Sequence, residues 1–140
     1  MSLPPRQIGL SEPVESSPKA FHIESDGVAN LLVIRYRGRV GAKEVEQCAA
    51  EVLAHLESVE PGFKLLADLT ALEVMDISCA APLENIMKVC NEKGVATVAR
   101  IIPDPRRDIG LQIMSYFHYG PSVRIVTCAT ADEAMEALFG

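Results

Sequence analysis

No apolar run in this chain approaches the roughly 18 residues that a membrane-spanning helix needs. Nor does its N-terminus show the basic-then-apolar pattern of a secretory signal, so the sequence predicts a cytoplasmic location. There is no glycine-rich phosphate loop, no dinucleotide-binding fingerprint, no Gly-x-Ser-x-Gly elbow and no His-Glu-x-x-His pair. Those absences leave no familiar residue set for turnover and imply no cofactor. Excess positive charge is missing too: 13 Lys and Arg stand against 19 Asp and Glu, a formal net charge of −6. A broadly basic nucleic-acid binder is not expected from that balance. The four cysteines, Cys48, Cys79, Cys90 and Cys128, include no Cys-x-x-Cys pair, and the three histidines are scattered. This spacing predicts no structural zinc site and reduced thiols that pack as small apolar groups.

What is present suits one soluble domain: 140 residues, 49% apolar and 23% charged. Residues 1–19 hold Pro4, Pro5, Pro13 and Pro18 among Ser and Glu, with no apolar period, and are predicted to be a disordered tail. The folded domain is expected over residues 20–140. Phe21 and Ile23 alternate with His22 and Glu24. After the turn signal Ser25-Asp26-Gly27, Leu32, Ile34 and Tyr36 alternate with Val33, Arg35 and Arg37. A period of two on both sides of a turn predicts an antiparallel hairpin.

From Ala42 to Ser58 the period changes. Val45, Ala49, Val52, Leu56 and Val59 recur at helical spacing and make one apolar stripe. Phe63–Leu69 and Val95–Ile102 are nearly continuous apolar runs, as strands covered on both faces are. Between them a helix is predicted from about Cys79 to Lys93, with Gly94 as its C-terminal cap. Beyond Pro103 and Pro105, Arg107–His118 reads as a third helix and Val123–Cys128 as the last strand. Thr130-Ala131-Asp132-Glu133 is a capping box that opens a fourth helix. Strands separated by single helices imply parallel neighbours with right-handed crossovers. The predicted fold is an α/β sandwich with a mostly parallel sheet, an antiparallel N-terminal edge hairpin and four helices.

Three segments of this pattern carry a family resemblance. Tyr36-Arg37-Gly38-Arg39-Val40 is similar to a strand that ends in glycine before a first helix. Leu66-Ala67-Asp68-Leu69-Thr70-Ala71-Leu72-Glu73-Val74-Met75-Asp76-Ile77-Ser78 is similar to an apolar strand with an Asp-Leu-Ser/Thr turn and an Asp-Ser-Ser loop. Val123 to Leu138 is similar to a closing strand and helix. Together they resemble the STAS domains, the family of bacterial anti-sigma-factor antagonists and of the cytoplasmic domains of sulfate-type transporters, and the looser SpoIIAA-like group. The resemblance implies a regulatory, non-catalytic module with an anti-sigma or kinase-like protein partner. It places Ser78 on the serine that many members phosphorylate and Asp76 on the loop aspartate. Ile77 stands where the family has its first serine, and Cys79 where it has glycine.

The candidate docking surface is therefore Asp68, Thr70, Asp76, Ser78 and Cys79, at the start of the second helix. A phosphate on Ser78 would meet backbone N–H donors there and add about −1.5 to −2 charge. The plainer reading is an N-cap serine, worth roughly 1 kcal/mol. Cys79, at a predicted helix start, is expected to be the most reactive of the four thiols. Asp68 after its apolar strand is expected to bond the amides of the next loop. A first alternative is a carrier of a small apolar or lipid-like ligand. It rests on Met114, Tyr116 and Tyr119, which crowd one segment with thioether and aromatic groups; a homodimer contact explains them equally. A second alternative is an enzyme that uses Cys79 or Asp68.

Overall fold

Alternating apolar residues can bury only one side of a strand, and the hairpin obeys that constraint. The computed structural model of the chain describes residues 20–102 and 123–140. In it β1 (Phe21–Asp26) runs antiparallel to β2 (Leu31–Val40), with Phe21 opposite Tyr36 and Ile23 opposite Ile34. Asp26 Oδ1 accepts the backbone N–H groups of Val28 and Ala29, at 2.9 and 3.1 Å, and so closes the turn. The one left-handed position in it is Asn30, at φ 57°, rather than Gly27.

α1 (Ala42–His55) follows, extended by one 3₁₀ turn over Leu56–Ser58. β3 (Lys64–Met75) leads through a second 3₁₀ turn, Ile77–Cys79, into α2 (Ala80–Lys93). β4 (Thr97–Ile101), β5 (Arg124–Cys128) and α3 (Ala131–Phe139) complete the order. The strands lie side by side as β1-β2-β3-β4-β5, and every pair after the first is parallel. The predicted sheet, hairpin and parallel order are therefore present. The described residues hold three of the four expected helices. The expected tail over 1–19 and the helix over 107–118 lie outside the described residues. None of the described helices is long and apolar enough to cross a membrane.

Local chemistry sets the ends. Gly94 sits at φ 105° after α2, and its N–H bonds the Cys90 and Asn91 carbonyls, each at 3.1 Å. At the start of α3, Thr130 Oγ1 accepts the Glu133 N–H at 3.2 Å, while the Glu133 carboxylate reaches back to the Ala129 N–H at 2.8 Å.

One expectation is corrected. The apolar strand does not end at Leu69 but continues to Met75. β3 advances from Asp68 to Met75 while its partner β2 advances only from Arg35 to Val40, with register shifts at Arg35/Arg37 and Gly38/Arg39. The surplus residues on β3 are bulges, which break the period of two. Leu69, Leu72 and Met75, three residues apart, consequently all enter the same core. Gly38, at φ 64°, supplies the backbone geometry that the irregular pairing needs.

The sheet feeds two cores. Leu32, Ile34, Tyr36, Leu65 and Val98 face Val45, Val52, Leu83, Ile86 and Cys90 from α1 and α2. Val33, Leu66, Ala99, Ile101 and Cys128 face Ala134 and Leu138 from α3. α3 packs on β3, β4 and β5. Beyond Leu31 and Val33, the β1–β2 part of that second face presents His22, Glu24, Arg35, Arg37 and Arg39 as exposed side chains.

Candidate functional site

The predicted site residues fall into two groups that the long strand keeps apart. At one end, Asp68 shares a sheet row with Arg35 and Ile101. At the other, Met75 pairs with Val40. Five residue steps along β2 separate these rows, roughly 17 Å at about 3.3 Å per residue. Asp68 and Thr70 therefore do not lie in one loop with Asp76 and Ser78, as the sequence suggested.

Asp68 is part of a hydrogen-bonded cluster on the second sheet face. Its Oδ1 accepts the Thr70 N–H at 3.0 Å and the Thr70 hydroxyl at 2.6 Å. Its Oδ2 accepts Arg35 Nε at 3.2 Å, and Arg35 Nη1 stands 3.7 Å from Glu24. Partial burial pulls the Asp68 carboxyl upward, but the Thr70 bonds and the Arg35 guanidinium outweigh it and hold the group below 3.8. From the sequence Asp68 is expected to hydrogen-bond amides of a following loop; the amide it accepts from, Thr70, lies within β3 instead. A carboxylate stabilised in this way is a poor proton acceptor near neutral pH.

The other group is built on the turn into α2. Asp76 is extended, at φ −88° and ψ 177°, and caps the 3₁₀ turn. Its Oδ1 accepts the Ser78 N–H at 2.9 Å and also the Ser78 hydroxyl. Asp76, not Ser78, is thus the capping residue, which corrects the plainer reading of Ser78. The Ser78 side chain is exposed and held by its neighbour. Pro82 lies in the first turn of α2 and is buried. The N–H it lacks would have had no partner within α2.

Cys79 is corrected as well. Its side chain is fully buried, and Sγ donates to the Val40 carbonyl at 3.4 Å. Burial, then the nearby Asp76 and Glu44 charges, push its thiol up. It can neither touch a partner nor serve as the ready nucleophile that its place in the sequence suggested. The 3₁₀ turn accounts for this: three residues per turn carry Ile77 outward and Cys79 inward. Ile77 is 73% exposed, and Val74 before it is 45% exposed. Sequence reasoning missed both as surface groups. Ile77 was visible only as a replacement for serine, and Val74 lies past a bulge that no simple period reveals.

The remaining candidates are quickly placed. Met114, Tyr116 and Tyr119 lie outside the described residues. All four cysteines are free and buried. Among the described residues, no three His, Cys, Asp or Glu side chains gather as a metal site would require.

The antiparallel edge hairpin, the parallel strands behind it and the capped turn into α2 define the class of protein: this chain has a STAS-like, SpoIIAA-like fold. Three solved structures carry that statement. An uncharacterised protein of the DUF3478 family with a SpoIIAA-like fold, from Shewanella loihica PV-4, superposes with a TM-score of 0.65 at 16% identity, over 89% of this chain and 98% of that one. The anti-sigma factor antagonist SpoIIAA in its unphosphorylated form gives 0.53 at 22% identity, over 86% and 99%. An anti-sigma factor antagonist from Mycobacterium paratuberculosis gives 0.54 at 19%, over 89% and 99%. No family model matches the sequence, and no curated protein matches it either.

Proposed function

We propose that this chain is a non-catalytic regulatory module of the cytoplasm that docks a protein partner through the turn at the end of β3, with phosphate on Ser78 as the switch. The observation that carries the reading is the pairing of two exposed groups on one capped turn. Ile77 offers an apolar anchor, and Ser78 offers a hydroxyl open to modification. Asp76 fixes both by holding the Ser78 amide. The anti-sigma factor antagonists among the similar structures support an anti-sigma or kinase-like protein as the partner class.

A phosphate would act here by removing the hydroxyl proton that Asp76 accepts. It would also set about −1.5 to −2 charge beside the Asp76 carboxylate and close to Glu44, whose field already reaches the neighbouring Cys79. Like charges would loosen the cap and desolvate poorly in an interface. Immobilised wild-type protein, Ser78→Ala and Ser78→Asp should be compared in capture of native partners. Wild type and Ser78→Ala should retain the same partner, and Ser78→Asp should lose it while its circular dichroism is unchanged. Equal capture by all three would refute the reading.

A further inference from the structure

Arginine is the best side chain for planar recognition of carboxylates, because its donors form a fixed fork. β2 carries three of them at alternate positions: Arg35, Arg37 and Arg39. Tyr36 and Val40 between and beyond them are buried in the first core, so the arginines project from the opposite face of the sheet. All three are exposed. Their circumstances differ. Arg35 is compensated by Asp68 and Glu24. Arg37 and Arg39 form no ion pair among the described residues. The β1 ladder runs as far as the Phe21–Tyr36 pair, and Ala20 beyond it still accepts the Arg37 backbone N–H at 2.8 Å.

Across from them on β3, Arg37 pairs in register with Ala71, and Arg39 with Val74. Val74 is exposed, and so is Ile77 three residues further along the chain. Two uncompensated guanidinium groups thus lead directly into the docking turn. Both stand out in a chain of net charge −6, although exposed Glu73 on β3 and Asp76 in the turn are carboxylates of the same region. Alternate side chains of a regular extended strand or peptide stand roughly 6.6–7 Å apart; between Arg37 and Arg39 the left-handed Gly38, at φ 64°, interrupts that regularity.

We propose that the occupant of this surface is an acidic, extended segment of the protein partner, whose alternate carboxylates pair with Arg37 and Arg39 and whose next apolar side chain rests on Val74 and Ile77. This inference rests on the docking function proposed above and specifies the partner's chemistry. Charge complementarity selects the occupant: a short acidic segment gains from both arginines and extends little beyond them, whereas a long polyanion such as nucleic acid runs on into the negative field of the rest of the chain.

The test is fluorescence anisotropy with a labelled peptide of alternating glutamate and valine ending in leucine, and with its glutamine counterpart as control. Wild type should bind the glutamate peptide, more weakly as ionic strength rises, and should ignore the glutamine peptide. The Arg37→Glu/Arg39→Glu double variant should lose at least about tenfold in affinity, and Arg37→Gln/Arg39→Gln somewhat less. Both substitutions lie on the exposed face, and unchanged circular dichroism would verify that the fold is kept. Ile77→Asp should weaken binding independently. Failure of wild type to bind, or equal binding by the arginine variants, would overturn the acidic-segment inference. Loss with Ile77→Asp but none with the arginine variants would overturn it and leave the docking turn standing. Loss with neither would count against both.

Discussion

The two faces of the sheet are built to different standards. Leu65 and Leu66 are consecutive residues of β3, equally apolar and nearly equally buried, yet they enter separate cores. Leu65 meets two long helices across the width of the sheet. Among the described residues Leu66 meets one short helix, α3, which packs on β3, β4 and β5, while beyond Leu31 and Val33 the β1–β2 part of that face carries charged side chains. The comparison shows where this molecule invests in stability and where it keeps surface for recognition. A strand covered on both sides specifies the fold, whereas a strand covered on one side can carry arginines in mid-sheet.

The largest effect should come from that pair of leucines. Leu65→Ala should destabilise by about 3–5 kcal/mol and Leu66→Ala by about 2–3 kcal/mol, since the thinner core can close more readily around a cavity. Chemical denaturation of the two variants measures both, and the reverse order would break the comparison. Thiol labelling under native conditions probes it kinetically. Burial pushes Cys48 up to about 11 and Cys90 to about 12, and both lie in the thicker core with Cys79. Cys128 sits on the edge strand of the thinner one and should react first, through local opening. Faster labelling of Cys79 would restore the expectation drawn from its place in the sequence.

Smaller effects sharpen the picture. Asp68→Asn should cost about 1 kcal/mol at neutral pH, because an ionic hydrogen bond to Arg35 becomes a neutral one. The folded Asp68 carboxyl titrates below 3.8, so its contribution is present above that value and disappears as pH falls through the lower folded value. The gap between variant and wild type should therefore close in acid. A gap that persists there would mean that the Arg35 contact is not electrostatic. At the docking turn, Asp76→Ala should cost roughly 1 kcal/mol as a lost cap, and Ser78→Ala less than about 0.5 kcal/mol. Equal costs would return the capping role to Ser78.

Much of the fold was legible in the sequence because the periods are clean. The hairpin alternation, the α1 stripe, Gly94 and the Thr130–Glu133 box each name one structure by a local rule. The second half of β3 was not legible. Bulges opposite Arg35–Arg37 and Gly38–Arg39 replace a period of two by a period of three, so Thr70 to Met75 imitate a loop. The site was legible only in part. Asp76 and Ser78 are two residues apart in the chain, and the turn joins them directly. The orientation of Cys79 and Ile77 depends on a single 3₁₀ turn, which no side-chain pattern announced. That Arg37 and Arg39 have no ion-pair partner among the described residues, whereas Arg35 has two, depends on which carboxylates the sheet register brings alongside, a property of pairing rather than of either residue.

The most direct test of the central claim is hydrogen exchange on the free protein and on its complex with the captured partner. New protection is expected over β2 from Arg37 to Val40 and from Ala71 to Cys79, with the remaining described amides unchanged. Protection confined to β5 and α3, or to the Asp68 row with no change at Ser78, would contradict it.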